Sequence, residues 1–345
     1  MGNRKTKTGV VSDIVRQWLL DHSHVPNIEK NLTASKMIMA DPEMAVLFKD
    51  VEDVRKTVRR IKGKAGEKER RMARHAVADF NAKFDKAVAE NSPRKEIDFT
   101  PYQINAKDVL VLSDLQYPYY DKEALRVGLQ YAHENWKTID CVFINGDWFD
   151  FYKASHFMKD PRRMDLFEEL EGGCNIIKMI QDLFNCPVVL KFGNHEERFD
   201  NYITEKAGQL KTIPEFSLQA CIEKRVPEGL TIVKDKRIVM IGKLPFLHGH
   251  EFGRGVFSPV NPARGLFTRA LHSCVQGDCH RPSEHTEKTL TGDLIVTYSM
   301  GCLCQLQADF APYNRWMHGF GRVQVLNKDG EYLFTNKKIV NHKVY

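Results

Sequence analysis

Residues 191–198 read Lys191-Phe192-Gly193-Asn194-His195-Glu196-Glu197-Arg198, directly after Cys186-Pro187-Val188-Val189-Leu190. The preceding run is short, apolar and β-branched, the composition of a buried strand. An amide, an imidazole and two carboxylates are therefore presented together where a strand ends at Gly193. These are groups that coordinate metal ions and move protons. Four more strand-then-polar-turn segments repeat the plan: 109–116, ending Ser113-Asp114-Leu115-Gln116; 141–150, ending Asn145-Gly146-Asp147-Trp148-Phe149-Asp150; 245–250, ending His248-Gly249-His250; and 274–281, ending Gly277-Asp278-Cys279-His280-Arg281. Ligand sites in open sheets form beyond the strand ends, so five such tips can converge on one place. Taken singly, a strand-end Asp such as Asp114 is most often a turn former, a lone His is structural, and Asn194-His195 is an Asx turn. The ordered set of five is what singles them out.

That set resembles the calcineurin-like metallophosphoesterases, whose blocks run Asp-x-His, Gly-Asp-x-x-Asp, Gly-Asn-His-Asp/Glu, a His after a strand, and Gly-His-x-His. The second and third blocks match fully at Gly146–Asp150 and Gly193–Glu196. Two positions depart: Gln116 stands where the family has His, and Asp278 where it has the first His of the last block. Carried over residue by residue, the resemblance implies that Asp114, Gln116 and His280 hold one metal, that Asn194, His248 and Asp278 hold another, and that Asp147 bridges them. It implies a metal-bridged hydroxide attacking phosphorus, His195 donating a proton or stabilising the transition state, and Asp150 orienting His195. Mixed nitrogen and oxygen donors suit Mn, Zn, Fe or Ni better than Ca, and the carboxylate of Asp278 favours Mn. The alternative is that Asp278 is a turn residue and His250 or His272 takes its place. Arg198, Arg254 and Arg281 are candidates to pair with phosphate, Arg198 and Arg281 because they adjoin the site blocks. Cys279 lies between two candidate ligands, and strand-end alternation points it away from both.

Positioning these groups requires a sheet framework, and the pattern from about residue 107 supplies one. Helical patterns are expected over 122–133, 166–183 and from Asn261-Pro262 to 270, and strands over 238–241, 245–247, 274–276, 294–299, 322–326 and 332–335. The expected fold is α/β, a two-sheet β-sandwich flanked by helices, as the resemblance implies. In a chain of 345 residues, 42% hydrophobic and 28% charged residues are ordinary for a soluble globular protein. No run of eighteen apolar residues predicts a membrane span, and no apolar core follows the basic N-terminus. The eight cysteines include no Cys-x-x-Cys pair, which implies a reducing, cytoplasmic setting.

The charge is unevenly placed. Residues 1–75 carry 17 Lys+Arg against 10 Asp+Glu, so the whole excess of +6 lies there. This segment reads as a small all-helical domain: a helix capped by Ser12 or Asp13, a second over 34–39, a start at Asp41-Pro42, and a helix capped by Asp50. The last carries Arg55, Lys56, Arg59 and Arg60 opposite an apolar stripe, and the group resembles a helix-turn-helix module of the kind attached to phage-type phosphoesterases. A basic face of this kind is often only solvated; the charge asymmetry is what favours DNA. A longer helix over 67–90 is expected to pack through Met72, Val77, Phe80, Phe84 and Val88. The domains expected are 1–90, a basic helical module; 91–104, a linker broken at Asn91-Ser92-Pro93-Arg94; and 105–345, the phosphoesterase domain. The expected function is metal-dependent hydrolysis of a phosphate ester, a phosphodiester or nucleic acid first. The alternatives are a protein or small-molecule phosphomonoesterase, and a non-catalytic DNA-binding protein whose site has decayed at Gln116 and Asp278. The substrate partner is a phosphate ester, with DNA a possible second and no membrane; the oligomeric state is left open.

Overall fold

The computed structural model describes residues 7–62, 77–88, 97–156, 158–253, 260–309 and 311–345. The chain divides into two compact units, Met1–Lys95 and Glu96–Tyr345.

In the first unit, α1 (Lys7–Asp21), α2 (Asn31–Ala40), α3 (Pro42–Ala45) and α4 (Val51–Ile61) close around Val15, Trp18, Ala34, Ile38, Met44, Val54 and Val58. The caps are those read from the sequence for two of them. Asp41 accepts the Glu43 and Met44 N–H groups at the start of α3, and Asp50 accepts Asp53 N–H at 2.8 Å at the start of α4. Helix α1 differs: it is already helical at Lys7, so Ser12 and Asp13 lie inside it rather than capping it. Residues 77–88 form a further helix, α5. Its stripe of Val77, Phe80, Phe84 and Val88, expected to be packed, is 59%, 64%, 56% and 46% exposed. The core of this unit is filled by α1–α4 without it. Met72 and the break at Asn91-Ser92-Pro93-Arg94 lie outside the described residues.

The second unit is built on two sheets. Its strands are β1 (Tyr102–Ile104), β2 (Asp108–Leu112), β3 (Cys141–Asn145), β4 (Val188–Lys191), β5 (Leu230–Val233), β6 (Val239–Ile241), β7 (Leu244–Leu247), β8 (Cys274–Gln276), β9 (Ser283–Lys288), β10 (Leu294–Ser299), β11 (His318–Val325), β12 (Tyr332–Val340) and β13 (Lys343–Val344). One sheet runs β13-β12-β11-β2-β3-β4-β5 and the other β1-β6-β7-β8-β10-β9. Period-two alternation divides the buried side chains between two cores. Val109, Val111, Phe143 and Val189 face the second sheet, meeting Val239, Ile241, Phe246 and Val275. Leu110, Leu112, Val142, Ile144, Val188 and Leu190 face the opposite way, onto α6 (Lys122–Asn135) and α7 (Leu166–Phe184). Helices α8 (Asn194–Ala207), α9 (Leu218–Arg225) and α10 (Pro262–Ala270) complete the unit. The architecture is thus α/β, two sheets flanked by helices, with a small helical domain ahead of it.

Strands β2 to β5 run parallel, with Leu112 level with Ile144 and Asn145 level with Lys191, so the tips after β2, β3 and β4 emerge at one edge. In the other sheet β7 and β8 are also parallel and deliver the remaining two tips. Residues 102–104, expected in the linker, pair with β6 instead. Strands β5 and β9 were not legible: β9 carries Ser-Glu-His-Thr-Glu-Lys, without an apolar alternation, and is the sheet's edge strand.

Candidate metal centre

Asp114, Gln116, Asp147, Asp278 and His280 all adopt left-handed backbone, with φ of 55°, 52°, 51°, 58° and 55°. For residues with a Cβ this conformation costs about 1 kcal/mol or more each, and it persists only where the surroundings enforce it. Here the tips enforce it on one another. Asp114 N–H donates to Gly146 O at 3.1 Å, Gln116 N–H to Asp147 O at 2.9 Å, and Leu303 N–H to Asp114 O at 3.0 Å. Gly193 lets β4 come close as well, since a Cβ there would lie 2.2 Å from Asp147 Oδ1.

Three buried carboxylates clamp this frame, and sequence reasoning assigned none of them that task. Glu196 accepts four backbone N–H groups: Trp148 at 2.8 Å, Phe149 at 3.1 Å, Asp147 at 3.0 Å and Gly193 at 2.7 Å. Burial and the charge of Asp147 push its carboxyl up, and the four donors keep it in place. Glu169, from α7, accepts the N–H groups of Asp150 and Phe151 at 2.9 Å and 2.5 Å; burial pushes its carboxyl up to about 8. Glu251 accepts His248 N–H at 2.9 Å and Gly249 N–H at 2.7 Å, and pairs at 2.8 Å with the wholly buried ammonium of Lys191. The only sequence signal was a Lys ending an apolar strand.

The donor atoms point inward from this frame. Asp114, Asp147 and His248 bring ligand atoms within 4.8 Å of one another. His248 Nδ1 donates to Asn145 O at 2.7 Å, so the neutral ring carries its lone pair on Nε2, 3.2 Å from Asp147 Oδ1. That nitrogen is buried with no hydrogen-bond partner, and so is Asn194 Oδ1. A lone pair set against a carboxylate is repulsive unless a cation lies between them. His280 Nε2 stands 3.1 Å from Asp114 Oδ1 and 3.5 Å from Gln116 Nε2, which places Gln116 beside the donors. Asp278 N–H donates to both oxygens of Asp114, at 3.1 Å and 3.2 Å. Its own Oδ1 lies 3.9 Å from His248 Nε2, at the open side of the cluster, 40% exposed. Burial works against charge on Asp147, but His195 and His248 outweigh it and hold the carboxyl below the usual range. Burial likewise opposes protonation of His248 and His280; the carboxylates beside each nevertheless raise them well above an ordinary imidazole. The same negative field draws in divalent cations, which would replace those protons. Three carboxylates, two imidazoles and two amides are a donor set that fits divalent cations.

Beside this cluster, His195 Nδ1 lies 3.2 Å from Asp150 Oδ1, at pairing distance although off hydrogen-bond alignment. Its Nε2 is 3.4 Å from Asp147 Oδ2 and 2.7 Å from an Arg198 N–H. Arg198 also donates to Asp150 O at 2.7 Å. All ten residues proposed from the sequence as metal or catalytic groups thus fall in one neighbourhood. The substitutes for Asp278 are engaged elsewhere, although the His250 ring lies 5.4 Å from that of His248. His250 pairs with Glu197 at 3.0 Å, and His272 is exposed and bonded to Ser273 O. Cys279 receives Gln276 Nε2 at 3.4 Å, and Arg254 lies outside the described residues. On α4, Lys56, Arg59 and Arg60 are exposed. Arg60 donates to Ser12 Oγ at 2.6 Å and Arg55 pairs with Glu52 at 3.2 Å.

No family model matches this sequence, and no curated protein matches it. Solved structures similar in fold include the following three. A Vps29 double mutant from Entamoeba histolytica is 13% identical, with 69% of this chain and 96% of that chain covered and a TM-score of 0.35. Chaetomium thermophilum Vps29 is 10% identical, covering 68% and 94%, with a TM-score of 0.30. Hypothetical protein PH1004 from Pyrococcus horikoshii is 15% identical, covering 66% and 86%, with a TM-score of 0.36. Likenesses this low say nothing of function, which has to come from the site itself.

Proposed function

We propose that the chain is a metal-dependent phosphoesterase of the calcineurin-like kind. Asp114, Gln116 and His280 would hold one divalent ion, Asn194, His248 and Asp278 a second, and Asp147 would reach both. The observation that carries this reading is the pair of buried, unpartnered donors, Asn194 Oδ1 and His248 Nε2, set within a carboxylate cluster whose ligand atoms lie within 4.8 Å. When bound, two such ions neutralise phosphate charge and supply an activated water at neutral pH; the carboxylate-rich donor set suits Mn, with Zn, Fe or Ni as further occupants.

The chain's own residues do the rest. The carboxylate of Asp150, 3.2 Å from His195 Nδ1, would orient the ring, leaving Nε2 toward Asp147. In the resting arrangement Arg198 donates to that Nε2. A phosphate oxygen is a stronger acceptor for a guanidinium than an imidazole nitrogen is. Arg198 would therefore move onto the substrate, Nε2 would take up a proton from solvent, and the ring would deliver it to the departing oxygen. Arg281, next to His280 in the chain, would add a second phosphate contact.

A phosphodiester, and nucleic acid in particular, is the substrate class we favour. The support is the excess positive charge of residues 1–75 and the exposed Lys56, Arg59 and Arg60 on α4. Eight cysteines, none of them paired, suit a reducing, cytoplasmic compartment. Among the described residues no helix is long and apolar enough to cross a membrane. The test is metal content and turnover of a chromogenic phosphodiester and a monoester by the full chain with Mn, together with duplex DNA binding at several salt concentrations. Diester turnover with two ions per chain is expected, along with binding whose salt slope shrinks by about 0.9 for each phosphate contact removed by Lys56→Glu or Arg59→Glu. Absence of ions and of turnover refutes the enzyme; a salt slope indifferent to α4 refutes the DNA module.

A further inference from the structure

His280 has a second nitrogen, and the reading above leaves it unused. Nδ1 lies 3.6 Å from Cys304 Sγ. Cys302 and Cys304 flank a bend at Leu303 and are pinned by bridges Cys302 to His318 and Cys304 to Tyr120. The two cysteines are 0% and 1% exposed. The ligand atoms of His280, Cys302 and Cys304 all lie within 4.8 Å of one another. In a tetrahedral zinc site, bonds of about 2.3 Å to sulfur and 2.0–2.1 Å to nitrogen give a nitrogen–sulfur edge of about 3.6 Å, the separation found here.

We propose that His280 Nδ1, Cys302 Sγ and Cys304 Sγ form a second metal site, taking a thiophilic cation such as Zn(II) or Cd(II), and that its occupancy antagonises the phosphoesterase centre. Soft thiolates select such ions over Mn. Binding releases one proton from each thiol. While Nε2 serves the phosphoesterase centre, the neutral ring keeps its proton on Nδ1. Ligation at Nδ1 moves that proton to Nε2, where it is donated to Asp114 Oδ1, 3.1 Å away. A neutral imidazole offers one lone pair, so as long as the ring keeps its second proton it serves one centre at a time. The antagonism rests on His280 being a ligand of the proposed phosphoesterase centre; the thiol site itself does not.

The experiment titrates the full chain, loaded with Mn, with Cd(II). It follows the thiolate-to-cadmium absorption band, the number of sulfurs around cadmium by X-ray absorption, and phosphodiester turnover. One tight cadmium per chain with two sulfurs is expected, the band disappearing in Cys302→Ser/Cys304→Ser and surviving in Cys279→Ser. Turnover should fall as the band grows, and the double variant should need about 5–150-fold more cadmium for the same loss, the usual range for coupled sites. A band unchanged in the double variant overturns the site, as does a natively folded wild-type protein whose cadmium is surrounded only by oxygen and nitrogen. Two-sulfur binding that leaves turnover intact keeps the site and overturns the coupling. A chain without phosphodiester turnover at all fails the reading of the centre, while the sulfur count still judges the thiol site.

Discussion

Lys191→Met removes the countercharge of a buried carboxylate that holds the His248 tip. Lys191 is 0% exposed, and its ammonium lies 2.8 Å from Glu251 Oε1 and 2.9 Å from Arg237 O. Burial alone would raise the Glu251 carboxyl; the charges of Lys191, His250 and His248 instead lower it from 4.5 to about 2. At about 1.4 kcal/mol per unit, that displacement corresponds to roughly 3 kcal/mol of folding stability shared among the three charges, Lys191 the largest. The usual cost of breaking a buried ion pair by removing one partner, about 3–5 kcal/mol, agrees. Each kcal/mol moves the midpoint of a unit of this size by roughly 2–4 °C, so a drop of about 6–12 °C at pH 7 is expected. The pH dependence follows from the sign of the shift. A carboxyl lowered on folding contributes fully above its unfolded value, near 4.5, and loses that contribution as pH falls toward about 2. The gap between wild type and variant should therefore be largest near neutrality and close as the solution is acidified. Because Glu251 also accepts His248 and Gly249 N–H, metal affinity should fall about 10–100-fold, as for other groups that orient a ligand. Thermal and denaturant unfolding at pH 7 and pH 4, with metal titration, measure this. A gap under about 1 kcal/mol at pH 7, or one that ignores pH, refutes the ion pair as the device holding the tip.

The remaining predictions concern the centre. His195→Ala should lower turnover about 10²–10⁴-fold with metal content intact, less for esters with good leaving groups; loss of both ions instead would make His195 a ligand or a scaffold. Asp147→Asn should abolish turnover and reduce occupancy at both positions, so two ions still bound per chain by mass spectrometry would count against sharing. Gln116→His should strengthen one position and shift its preference toward Zn or Co, because imidazole is a better donor for those ions than a neutral amide; unchanged titrations would mean that Gln116 does not face the ion.

The sequence by itself determined the order of chemistry-bearing tips, because each is announced by a short β-branched run followed by polar residues. The two-sheet framework was legible through the family resemblance those tips carry; Val109 to Leu112 and Cys141 to Ile144, apolar on both faces, are covered on both. Tertiary structure decided what no local pattern carries. Residues 102–104 became a strand only because β6 lies beside them. The apolar stripe of α5 stayed exposed because α1–α4 already fill the core that could have covered it. Glu169, Glu196 and Glu251 are ordinary helix or turn acids in sequence; Glu169 and Glu196 become clamps because folding brings N–H groups of the β3 tip onto their carboxylates, whereas Glu251 holds its own tip and is fixed by Lys191 from β4. Cys304 met the far nitrogen of His280 across 24 residues, a distance that spacing rules do not reach. Local patterns report what a segment buries, whereas the partners of a buried polar group are fixed by which segments the sheets place side by side.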